Sequence, residues 1–144
     1  MFQHTQKGSA GIGLHDCRTN RICYENGLLT FDFPKGFYIL GDPEPVRTGA
    51  ARMCCPILDE ELDGISVFIY KEGRRGKVIR EDWSVNFADA VNSGDFEFEF
   101  VTVYRAYEHV LFKGYVWLDT RPYHMECEIE LHTDEIAYHW NERI

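Results

Sequence analysis

The chain has 144 residues, with 24 acidic against 15 basic side chains and a formal net charge of −9. One domain accounts for that length, and a content of 44% hydrophobic and 15% aromatic residues excludes a disordered chain, which would leave too much aromatic surface in water. The acidic balance argues against a general nucleic-acid binder, whose affinity comes from neutralising phosphates, and equally against attraction to an anionic membrane surface.

Residues 1–20 hold Gly8, Gly11 and Gly13, few large apolar residues and no period, so they read as a loosely ordered N-terminal arm. The run Gly8-Ser9-Ala10-Gly11-Ile12-Gly13 lacks the preceding strand and following helix that a phosphate-cradling glycine loop needs. From Arg21 the period is two, and residues 21–144 are expected to form a single β-rich domain. Arg21–Glu25 and Leu28–Phe33 flank Asn26-Gly27, a hairpin turn in which both residues tolerate positive φ. Strands are expected at Phe37–Leu40, at Ala50–Leu58 (an edge, given Pro56), at Ile65–Tyr70 and at Lys77–Arg80. A short helix is expected near 82–93, capped by Asp82 or Ser84 and closed by Gly94. Asp95–Tyr104, His109–Asp119, Tyr123–Leu131 and Glu135–Trp140 complete the strands. The pattern predicts a mainly β fold bordering on α+β, an antiparallel β-sandwich or open barrel with one short helix.

Charge is unevenly placed along this pattern. Residues 95–135 contain ten acids and three bases, a net of −7. Alternation sets Asp95, Glu97 and Glu99 on one face of a strand, and Glu126, Glu128 and Glu130 on one face of another. An ordinary solvated sheet face is the plain reading of each ladder. Like charges directly opposite one another destabilise a sheet, however, and a field of one sign steers and docks a basic protein. Asp59, Glu60, Glu61 and Asp63 are candidates to extend that patch.

Other chemistry finds less support. Nothing marks a protected carboxylic acid across a groove, as glycoside hydrolysis requires. His124 and His132 share the face of the second ladder but lie about 26 Å apart along an extended strand, too far to share one metal ion. The four serines include no Gly-x-Ser-x-Gly elbow, and Cys127 falls on an apolar face. Five cysteines without regular spacing suggest reduced thiols in a cytoplasm. No apolar run approaches the ~20 residues of a membrane helix. No enzyme activity, cofactor or metal is therefore expected. Lys71, Arg74, Arg75, Lys77 and Arg80 form a basic cluster that reads as a solvated hairpin tip. Trp83, Trp117 and Trp140 leave open an alternative, a small barrel holding a ligand in an aromatic-lined cavity.

Asp95–Tyr104, His109–Asp119 and Tyr123–Trp140, with the Asn26–Leu40 hairpin region, resemble the small acidic immunity proteins of bacterial contact-dependent growth inhibition and related toxin systems. The resemblance is one of overall style over residues 21–144, without a signature motif. It implies a cytoplasmic, non-enzymatic inhibitor that binds one cognate toxin domain, often a nuclease, and blocks its active site. Such families have unrelated folds and fast-changing contact surfaces, so the resemblance transfers no functional residue. The choice of Asp95, Glu97, Glu99, Glu126, Glu128 and Glu130 as toxin-binding residues rests on charge pattern alone.

Overall fold

Two-residue alternation becomes strand along most of the chain. The computed structural model describes residues 1–58 and 64–144. In chain order it contains β1 (His4–Lys7), β2 (Ile12–Gly13), β3 (Cys17–Thr19), β4 (Arg21–Glu25), β5 (Leu28–Phe33), β6 (Tyr38–Ile39), β7 (Val46–Arg47) and β8 (Ala51–Pro56). β9 (Ile65–Glu72), β10 (Val78–Asp82), helix α1 (Phe87–Asn92), β11 (Glu97–Ala106), β12 (His109–Trp117), β13 (His124–His132) and β14 (Ala137–Trp140) follow. Two antiparallel sheets, ordered β1-β14-β8-β5-β4 and β10-β9-β13-β12-β11-β3, pack as a sandwich; β2-β6-β7 make a small third sheet. The expected mainly β antiparallel architecture is present, and it does not close into a barrel.

Aromatic rings join the sheets. Phe100 of β11 lies 5.7 Å from Phe31 and 5.3 Å from Phe33 of β5, and 5.1 Å from Phe112 of β12. All four rings are fully buried, so the interior is filled by side chains. All five cysteines are free, and Cys17, Cys54, Cys55 and Cys127 are buried. Burial pushes the Cys17 thiol up to about 11 and raises Cys55 and Cys127 as well, which keeps these sulfurs protonated and unreactive.

The turns follow their residues. Asn26 and Gly27 take φ of 53° and 75° between β4 and β5. Gly94, at φ 89°, closes α1, where the Asp95 and Phe96 amides donate to the Ala90 carbonyl. The helix is shorter than the expected 82–93. Asp82 remains in the β10 ladder and accepts from the Ser84 amide, while the Ser84 hydroxyl accepts from the Val67 amide. Those bonds hold residues 84–86 in a turn, so regular helix starts only at Phe87.

Two expectations differ from the structure. Ala50–Leu58, expected at an edge, supplies β8 between β14 and β5; Pro56 is only its last residue, opposite Leu28. Residues 1–20, expected as a loosely ordered arm, contribute strands to all three sheets: β1 pairs with β14, β2 with β6 and β3 with β11. Leu14, Cys17 and Thr19 are buried, and the Thr19 hydroxyl donates to the carbonyls of Arg21 and Asp32. In this glycine-rich segment, strands of two to four residues are too short to display a period.

Candidate protein-binding face

Strand register places five of the six candidate acids on the outer face of the six-stranded sheet. One row crosses every strand: Arg18, Glu99, Tyr115, Glu126, Tyr70 and Arg80. Beside it run Glu97–Trp117–His124, Thr102–Lys113–Glu128–Phe68 and Tyr104–Leu111–Glu130–Ser66. The two Glu ladders therefore share a face but not a strand boundary. β12 lies between them, so β11 and β13 carboxylates stand about 10 Å apart across two strand spacings. The expected crowding of like charges directly opposite does not occur, because Trp117, Tyr115, Lys113 and Leu111 occupy the positions between.

Asp95 is the exception. It sits in the turn that closes α1, exposed and ahead of β11, rather than on the ladder. It borders a polar recess lined also by Arg18, Asn92, Glu97, Trp117 and Asp119. Gly94 and the helix end take up the residues that alternation alone would have assigned to the strand. Asp59, Glu60, Glu61 and Asp63 lie outside the described residues.

Part of the acidic charge is answered within the face. Arg18 reaches Glu97 at 3.5 Å and Glu99 at 3.6 Å, and its guanidinium lies 4.6 Å from the Trp117 ring centre. The Trp117 indole N–H donates to Glu99 at 3.3 Å. Lys113 reaches Glu128 at 3.5 Å, and the Arg80 guanidinium lies 3.5 Å from the Phe68 ring centre. Burial and the adjacent Glu128 carboxylate push the Tyr70 phenol above its ordinary value. Glu126 and Glu130 are different: both are exposed, and neither forms an ion pair with a described residue. The face thus has fixed acids held by basic and aromatic neighbours, with two carboxylates left open.

The remaining candidate groups are dispersed. His124 packs on Trp117 and Tyr115 at one end of β13, and His132 stacks on His109 at 4.7 Å at the other. Among the described residues, no three His, Cys, Asp or Glu side chains are placed to hold a metal ion. In the basic cluster, Arg74 and Arg75 form a tight turn at the β9–β10 tip. Lys71 pairs instead with Glu81 at 2.7 Å, beside the Trp83 ring. The three tryptophans do not line one cavity: Trp117 is on the acidic face, Trp140 packs on Phe37, and Trp83 borders an open cleft of about 910 Å³ with Phe96, Leu118 and Met125. Among the described residues, no helix is long and apolar enough to cross a membrane.

The aromatic members of the face were half visible in the sequence, since alternation sets Tyr115 and Trp117 together on one side of their strand. Arg18 was not, because its strand is three residues long. Comparison with protein-family models, with curated proteins and with solved structures finds no significant match.

Proposed function

We propose that the protein is a cytoplasmic immunity protein that neutralises a cognate basic toxin domain by binding it through the outer face of the six-stranded sheet. The observation that carries this reading is the register of that face, where Glu97, Glu99, Glu126 and Glu128 stand beside Trp117, Tyr115, Tyr70 and Phe68, and Glu130 follows on the same strand. Tyr and Trp are favoured at interface centres, because they bury a large area with few rotamers and keep a polar tip. Carboxylates around them complement a surface that has to be basic to hold nucleic acid, and they raise the rate of encounter. In this reading inhibition is occlusion: Glu126 and Glu130 take the lysines and arginines that otherwise contact phosphates. No catalytic group, metal or cofactor takes part.

The test takes its toxin domain from the gene found immediately upstream, co-expressed with the wild type or with a Glu126→Lys/Glu130→Lys variant; an upstream gene without a toxin domain counts against the reading. The wild type is expected to restore growth and to bind with an affinity that falls as salt rises. The variant is expected to lose roughly tenfold or more in affinity, with a flatter salt dependence. Reversing Lys7 and Arg21, which lie on the other sheet, is expected to leave protection intact. Unchanged protection and salt dependence in the double variant refute the reading.

A second reading rests on the cleft beside Trp83, whose Phe96, Leu118 and Met125 offer an apolar seat for a small aromatic ligand. Quenching of Trp83 fluorescence by such a ligand, lost in Trp83→Phe, is the result it requires.

A further inference from the structure

Four strands end the two large sheets, and three of them present short or covered edges. β3 is three residues long, and β1 is four polar residues, His-Thr-Gln-Lys. On β4 the Asn92 side chain accepts from the Ile22 amide at 2.8 Å and donates to its carbonyl at 2.7 Å, completing the ladder as a further strand would. β10 differs from all three. Its ladder to β9 is bracketed by the bonds from Gly73 N–H to the Lys77 carbonyl and from Trp83 N–H to the Val67 carbonyl. Odd-numbered residues therefore bond β9, and the amides and carbonyls of Val78, Arg80 and Asp82 point away from it. No described residue bonds those groups. Val78 and Ile79 are 66% and 50% exposed on this open edge.

Charge along the strand is divided. Arg74, Arg75 and Lys77 stand at one end, Glu81 and Asp82 at the other, and Arg80 lies between them with its guanidinium over the Phe68 ring. An antiparallel strand of the same sequence presents the reverse order, so the edge is complementary to itself. We propose that this edge is occupied by a second copy of the chain, related by a two-fold axis through Ile79, so that two six-stranded sheets continue as one. Backbone groups that point outward must meet others that do, which restricts the axis to a residue position. An axis at Ile79 sets Ile79 against itself, Val78 against the second copy's Arg80, and Lys77 against the second copy's Glu81 on both sides. An axis at Arg80 opposes two guanidiniums, and one at Glu81 opposes two carboxylates, arrangements that destabilise paired strands. An axis at Val78 also has an apolar centre, but there Lys77 meets Ile79 and the partner of Glu81 is Arg75, which its left-handed turn conformation (φ 61°) removes from the strand. Among the extended residues, only the Ile79 register combines an apolar centre with two opposite-charge pairs.

Sedimentation equilibrium of the full chain across a concentration series tests this directly. The expected mass rises from the monomer's 16.8 kDa to twice that value. Ile79→Lys, which sets like charges on the axis, is expected to remain monomeric. Lys77→Glu and Glu81→Lys each oppose like charges and are expected to be monomeric alone. Their equimolar mixture restores opposite charges at both positions and is expected to dimerise. Hydrogen exchange in the wild type needs no variant: the amides of Val78, Arg80 and Asp82 gain protection as concentration rises. A wild-type chain that stays monomeric, a dimer that survives Ile79→Lys, a mixture that stays monomeric, or exchange independent of concentration overturns the proposal.

Discussion

The two outer faces of the sandwich rest on equally apolar inner faces, yet their side chains differ in size and charge. Across the six-stranded sheet, three of the four rows set a carboxylate beside an aromatic ring or a base, as in Arg18–Glu99–Tyr115–Glu126–Tyr70–Arg80, and the fourth holds Glu130 between Leu111 and Ser66. The five-stranded sheet carries Thr5–His139–Arg52–Asp32–Arg21 in one row and Lys7–Ala137–Cys54–Thr30–Cys23 in the next. Those rows mix small side chains with the basic Lys7, Arg21 and Arg52, contain no Trp, Tyr or Phe, and hold one close ion pair, Arg52 to Asp32 at 2.6 Å. Burial of the inner faces stabilises both sheets alike, so the fold itself asks nothing more of an outer face than solubility. Small and basic residues meet that demand on the five-stranded side. Trp117, Tyr115, Tyr70 and Phe68 on the other side exceed it, and they leave apolar ring area beside open carboxylates. The difference between the faces is therefore the strongest argument that one of them is used for binding.

Removing what the faces share has the largest expected effect. Phe100 touches rings of both sheets, and Phe100→Ala is expected to cost about 3–5 kcal/mol. Urea unfolding followed on both sheets then shows one transition shifted to lower denaturant; separate transitions would mean that the sheets are independently stable. A smaller change separates the faces. Gly114 sits opposite Phe100, next to the register shift in β11, where an added Cβ meets the Glu99 carbonyl and the Phe98 ring. Gly114→Ala is expected to destabilise by about 1–3 kcal/mol, because backbone rather than a flexible side-chain end must move. It also displaces Glu99 from Arg18, so amide shifts concentrate on β3, β11 and β12. Thr30→Val, on β5 in the five-stranded face, is expected to stay within about 0.5 kcal/mol.

How much of this was legible in the sequence depended on element length. Strands of five or more residues announced themselves: β11, β12 and β13 begin and end within two residues of their alternation. Gly94 and Asn26-Gly27 declared their turns because few residues besides glycine and asparagine accept positive φ. Alternation also put Glu97 and Glu99, and separately Glu126, Glu128 and Glu130, on common faces. What alternation lacks is strand order. It does not say that β12 lies between the two ladders, and so it misjudges a self-repelling surface that is in fact spaced by rings and bases. It equally missed Arg18, which neutralises part of the first ladder from a strand too short to show a period. Helix length failed for a related reason, since the bond from the Val67 amide to the Ser84 hydroxyl joins residues 17 apart in sequence.

The smallest expected effect concerns pH and belongs to the five-stranded face. His139 lies between β1 and β8, with the Thr5 hydroxyl 2.9 Å from its ring nitrogen, the Phe2 ring beside it, and Arg52 opposite in register. Partial burial, and then the Arg52 charge, hold its pKa below the ordinary histidine value of about 6.5. The unfolded chain therefore takes up a proton at a higher pH than the folded one does. Stability contributed at this site is present above about pH 6.5 and falls as pH drops through that value, levelling off once the folded form is protonated too. His139→Gln keeps a polar partner for Thr5 and removes the titration. The denaturation midpoint of the variant is expected to fall less than the wild type's between pH 8 and pH 5. Equal losses in the two proteins would place the acid sensitivity elsewhere and leave the Arg52–Asp32 ion pair as the electrostatic feature of the plainer face.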